Sequence, residues 1–117
     1  MASFDLSYDA DDDVLEVTFA LFDEHFARTI PLNDHVVVYS DLSMRTIWGI
    51  TLYSYSQLLK VGETEMTDLR ALTEQQCESI LTMLERAPAS RFLEVLDHGE
   101  LVARIGAPGI ETLVHEP

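Results

Sequence analysis

Basic residues are scarce in this chain. Seven Lys and Arg stand against 21 Asp and Glu, a formal charge of −14 over 117 residues. A surface of that sign repels nucleic acid and anionic membranes, and attracts a basic protein or a cation. Cysteine is nearly absent as well. Cys77 stands alone, so no internal disulfide forms, which suits a reducing cytosol and predicts a cytoplasmic protein. No apolar run is long enough to span a membrane. The start, Met1-Ala2-Ser3-Phe4-Asp5, lacks the basic and apolar regions of a secretion signal. The five glycines are isolated, which excludes a glycine-rich phosphate loop. Hydrophobic residues, in contrast, make up 47% of the chain, too many for low-hydrophobicity disorder. A chain of this length is expected to form one domain, residues 1–117, that buries about two-thirds of its unfolded surface.

The first half has the two-residue period of half-buried strands. Phe4, Leu6 and Tyr8 alternate with Asp5 and Ser7, and Leu15, Val17 and Phe19 alternate with Glu16 and Thr18. Between them, Asp9 to Asp13 reads as the turn of a hairpin. Arg28 to Leu32 is a shorter strand whose Pro31 cannot donate a ladder hydrogen bond, which points to an edge or a strand end. Asn33-Asp34 supplies turn residues that tolerate left-handed backbone. Three consecutive valines in His35 to Tyr39 predict a strand covered on both faces. After Asp41 to Arg45, Ile47 to Tyr53 forms a fifth strand, with Trp48, Ile50 and Leu52 expected on its core side. Short connections favour sequential pairing, hence a five-stranded antiparallel meander.

Tyr8-Asp9, Asp13-Val14-Leu15, Phe19, Val36 to Tyr39, Asp41 and Gly49-Ile50 together resemble the DUF2283 family of short bacterial proteins. The resemblance covers residues 4–60. Two departures stand out: Thr51 replaces the glutamate that follows the family's Gly-Ile pair, and Ser43-Met44 replaces an Asp-Gly type of turn. The family has no assigned activity, so the resemblance implies a scaffold and carries over no catalytic residue.

The second half changes period. Ser54 to Val61 fits two helical turns that Gly62 breaks, closing a first segment over residues 1–61. Thr73-Glu74-Gln75-Gln76 has the spacing of a capping box, and behind it Cys77, Ile80, Leu81 and Leu84 fall on one helical stripe. Pro88 is expected to end that helix. Phe92 to Leu96 and Leu101 to Ile105 read as a hairpin about His98-Gly99, and Ile110 to Val114 as one closing helical turn. The predicted class is α+β: a five-stranded antiparallel meander followed by a helix and a C-terminal β-hairpin. The alternative organisation makes the part from about Met66 a subdomain tethered by Gly62 to Glu65.

The sequence contains few groupings that could do chemistry. Asp9, Asp11 and Asp13 have the opening spacing of a calcium loop, but Val14 and Ala20 stand where its glycine and bidentate glutamate belong. His25, His35, His98 and His115 are scattered, and Cys77 has no second thiol, so no metal site or cofactor is assigned. On a helix's apolar stripe Cys77 reads as a small hydrophobe rather than a nucleophile. No Gly-x-Ser-x-Gly elbow is present.

Leu21, Phe22 and Phe26 lie in a connector, where apolar side chains need a covering surface, either the chain's own sheet or another chain. With Tyr53 and Tyr55 they form the interaction surface expected from the sequence. The leading functional expectation is a noncatalytic protein-interaction module, either homodimeric or antitoxin-like toward a basic partner. The alternatives are a small-molecule-binding protein or enzyme whose site is assembled only in the fold, and a metal-responsive acidic protein.

Overall fold

The fold was analysed in a computed structural model that describes residues 4–19, 26–86 and 89–106. Expectations for Leu21, Phe22, His25, Pro88, Ile110 to Val114 and His115 fall outside those residues.

Five strands form the first sheet: β1 (Phe4–Asp9), β2 (Val14–Phe19), β3 (Arg28–Pro31), β4 (Val36–Ser40) and β5 (Ile47–Tyr53). All pairings are antiparallel, in the order β1-β2-β5-β4-β3. The sheet is therefore not a sequential meander. Tight turns force β1 against β2 and β3 against β4. The longer connection from Phe19 to Arg28 exerts no such constraint, so β5 inserts between the two hairpins. Residues 47, 49, 50, 51 and 52 are all buried, as a central strand requires. β3 is an edge and Pro31 its last residue, where the missing N–H costs least.

A second correction concerns Trp48. The register between β4 and β5 shifts at Tyr39/Ser40: Tyr39 faces Gly49, yet Ser40 faces Ile47. Trp48 is the extra residue of a β-bulge, which reverses facing on its far side. Ile47, at 5% exposure, joins Ile50 and Leu52 in the core, and Trp48 is left only half-buried. On β4, Val36 and Val38 are buried but Val37 and Tyr39 are half-buried, so that strand is less covered than its valine run suggests.

Helix α1 (Tyr55–Val61) stops where Gly62 takes a φ of 86° and donates its N–H to Leu58 O, a left-handed C-terminal cap. Helix α2 (Glu74–Leu84) opens on the complete capping box: Thr73 Oγ1 accepts from Gln76 N–H, and Gln76 Oε1 accepts from Thr73 N–H. The hairpin β7 (Leu93–Asp97) and β8 (Val102–Ile105) turns about Asp97, whose Oδ1 accepts from the N–H groups of Gly99 and Glu100. A short strand β6 (Glu63–Glu65), read from sequence as a polar link, pairs with β8 and makes this sheet three-stranded, order β6-β8-β7. The class is α+β with two antiparallel sheets.

One cluster of buried side chains draws on both sheets and both helices. It joins Leu15, Val17, Ile50 and Leu52 to Tyr55, Met66, Leu69, Ile80, Leu84, Phe92, Leu93 and Ala103. Each large aliphatic or aromatic side chain in it contributes roughly 1.5–3 kcal/mol through burial. Polar ties reinforce the junction. Asn33 Nδ2 donates to Thr64 Oγ1 and Glu65 O, and Asp68 N–H donates to Leu32 O. The rings of Phe19 and Phe92 meet at 6.3 Å between centroids.

Candidate functional site

Of the residues expected to form an interaction surface, the three among the described residues, Phe26, Tyr53 and Tyr55, do not meet. Tyr55 is fully buried and its hydroxyl donates to Gly106 O at 2.8 Å. It is a core residue, because the left-handed Ser54 turns the chain inward as α1 begins. Phe26 and Tyr53 are exposed, at 57% and 42%. They lie at opposite ends of the sheet, since Arg28 is in register with Ser40 and Ile47 while Tyr53 closes β5. Seven strand residues between those ends correspond to roughly 20 Å.

A concavity of the described surface lies elsewhere. An open trough of about 960 Å³ runs between α2 and the β4–β5 loop, with Met44 and Arg45 on one wall and Glu74, Glu78, Thr82 and Arg86 among its helical lining. The loop wall is held by Asp41. Its Oδ1 accepts from the N–H groups of Arg45 (2.7 Å) and Thr46 (3.0 Å), and its Oδ2 accepts from Ser43 Oγ at 2.6 Å. Burial alone would raise the Asp41 pKa, but the Ser43 hydroxyl and the two N–H groups outweigh it and hold the carboxyl below its usual value. Met44 takes a φ of 56°, the left-handed position that an Asp-Gly turn gives to glycine.

The helical wall follows from the amphipathic pattern of α2. Ile80, Leu81, Met83 and Leu84 face the core, and Glu74, Gln75, Glu78, Thr82 and Arg86 face out. The hydroxyls of Ser79 and Thr82 donate to Gln75 O and Glu78 O, which leaves them internally satisfied. Arg86 Nη1 donates across the trough to Arg45 O at 3.3 Å. Arg70 and Arg104 pair with Glu65 and Glu94 at 2.9 Å, whereas neither Arg45 nor Arg86 has a carboxylate partner among the described residues. Only the apolar stripe of α2 was read from the sequence; Met44 and Arg45, brought to its outward face by tertiary packing, gave no local signal.

Two of the smaller hollows hold residues that bear on the sequence expectations. One, of about 340 Å³, lies on the sheet's outer face between Glu16, Thr18, Ala27, Thr29, Tyr39 and Thr51. The other, of about 460 Å³, brings Cys77 and His98 to one lining with Leu69, Leu72, Leu81 and Leu101. No hydrogen bond joins that thiol to that ring. His98 Nε2 faces Glu85 Oε2 at 3.1 Å instead. His35 is exposed.

Two carboxylates of the acidic turn between β1 and β2, those of Asp9 and Asp13, are engaged by the chain's own donors. Asp9 Oδ1 accepts from the N–H groups of Asp11 and Asp12. The Asp13 carboxylate accepts from the Tyr8 hydroxyl, the Ser56 hydroxyl and the Ser56 N–H. Burial works to raise the Asp13 pKa, but these bonds, with Lys60 nearby, hold it below the usual carboxylate value. The same hydrogen bond, with burial and the Asp13 and Asp9 charges, pushes Tyr8 up to about 12. Among the described residues, no three of His, Cys, Asp and Glu converge in a metal-holding group, and no helix is long and apolar enough to cross a membrane.

No family model matches the chain, and neither a curated protein nor a solved structure matches it.

Proposed function

We propose that this chain is a noncatalytic protein-interaction module. The observation that carries the reading is the open trough beside α2. Its floor includes the buried Met83 and its wall the partly buried Met44, while both rims are polar and charged. Thioether side chains adapt to varied partner surfaces, and an apolar floor inside a polar rim is the anatomy of a protein contact. The pKa shifts fit the same reading. Asp13, Asp41 and Tyr8, the groups whose pKa values are displaced, hold hydrogen bonds that build turns. The excess of acid favours fast association with basic proteins, which keeps an antitoxin-like role among the forms this module takes. The DUF2283-like pattern over residues 4–60 is, on this proposal, the scaffold that presents the surface.

Sedimentation of the full chain, together with reconstitution against purified basic proteins from the host, tests the reading. The expected result is self-association at about 0.15 M salt or a stoichiometric complex with a basic protein at low salt. A chain that stays monomeric at high concentration and binds no protein partner contradicts it.

A further inference from the structure

We infer that the trough beside α2 is the contact surface of a symmetric homodimer, occupied by α2 of a second copy running antiparallel. The inference rests on the interaction-module reading and adds the partner and its orientation.

Charge along this face is directional. Glu74 and Glu78 are exposed in the N-terminal half of α2; Arg86 follows its C-terminal end, with Arg45 beside it across the trough. A small anion that met the two arginines would be repelled by the glutamates, and a basic segment would meet the reverse. The surface fits an occupant with both charges, spaced as its own are. A second copy meets that condition when a two-fold axis passes near Thr82, midway between Glu78 and Arg86. Each acidic end then faces a basic end, and the contact occurs twice, as an isologous interface requires. Arg86 lies two residues past the end of α2, and its eight-position separation from Glu78 corresponds to roughly 12 Å at the helical rise.

The centre of the face also suits close approach. Ser79 and Thr82 are small, and their hydroxyls already donate to Gln75 O and Glu78 O, so covering them leaves no new unsatisfied donor. Arg45 and Arg86 gain the carboxylate partners that they lack among the described residues. Because α2 has only 11 residues, the contact is smaller than a standard interface of about 800 Å² per partner, and the dimer is a weak one.

The test is sedimentation equilibrium of the full chain at about 0.15 M salt, where the Debye length of about 8 Å screens the repulsion between two acidic molecules. The wild type is expected to dimerise reversibly. Glu78→Arg and Arg86→Glu each weaken self-association on the order of tenfold, since each places like charges together twice. Both positions are exposed, and circular dichroism verifies that the variants fold. Mixing the two variants in equal amounts restores a heterodimer of wild-type affinity, because every contact is again Arg against Glu. A dimer indifferent to both reversals, or a mixture that fails to recover, overturns this inference but leaves the interaction-module reading standing. A strict monomer up to about 1 mM overturns the inference too. If that monomer also binds no protein, both fall.

Discussion

The Asp13 carboxylate receives both the hydroxyl (2.6 Å) and the backbone N–H (3.0 Å) of Ser56, a residue 43 positions further along the chain. Asp13 O also accepts from Tyr55 N–H at 3.0 Å. The turn between β1 and β2 therefore caps the start of α1. Ser54, the residue before that helix, makes no side-chain cap and sits at a φ of 55°. An anion at a helix N-terminus satisfies otherwise orphaned N–H groups and meets the positive end of the dipole.

Removal of that carboxylate is expected to loosen both the hairpin and the helix. Asp13→Ala loses charge-assisted bonds to Tyr8 and Ser56 and places alanine at a φ of 56°. A loss of about 2–3 kcal/mol follows. Asp13→Asn tolerates the left-handed backbone and keeps one acceptor, so it costs less. Urea denaturation of the two variants checks the ranking.

The same cluster sets a pH dependence at both ends of the scale. Asp13 and Asp41 have folded pKa values below 3.8. Their contribution is present above pH 3.8 and disappears as pH falls through the folded values. Tyr8 moves the other way, from 10.0 to about 12. Its contribution is full below pH 10 and is lost as pH rises toward 12. The stability gap between wild type and Tyr8→Phe is expected to be constant near neutrality and to close between pH 10 and 12. Denaturation curves at stepped pH measure it.

Two glycines separate backbone strain from steric contact. A Cβ at Gly62 would meet nothing within 4 Å, yet φ is +86°; Gly62→Ala is expected to cost about 1 kcal/mol through the backbone alone. A Cβ at Gly106 would lie 2.0 Å from Arg91 O. Gly106→Ala must push the end of β8 away from that carbonyl, and this break in packing is expected to cost more than Gly62→Ala. Melting temperatures of the two variants give the order.

The aromatic residues near the sheet should divide by burial. Tyr55→Phe leaves Gly106 O without its donor and is expected to lose about 1–2 kcal/mol. Phe26→Ser and Tyr53→Ser, at exposed positions, are expected to stay within about 0.5 kcal/mol of wild type. Thermal unfolding distinguishes them.

Local chemistry made much of this fold readable. Alternation marked β1 and β2, Pro31 marked an edge, Gly62 marked the stop of α1, and Thr73 with Gln76 marked the start of α2. Each signal acts within a few residues. What failed was tertiary. The pairing of Val17 with Ile50 that puts β5 at the sheet's centre leaves no trace in the connector, and the bulge at Trp48 appears only when two strands are aligned. The burial of Tyr55 depends on Gly106, far along the chain. For the same reason, the apolar stripe of α2 was readable, while the partnership of its outward face with Met44 and Arg45 was not.

The most direct test of the α2 face as a self-association surface is a dilution series followed by amide chemical shifts, from about 1 mM to about 10 μM. The account predicts saturable shifts for Glu74 to Arg86 and for Met44 and Arg45, with the strands of the five-stranded sheet unmoved. A spectrum unchanged across the series, or shifts confined to Phe26 and β1, would contradict it.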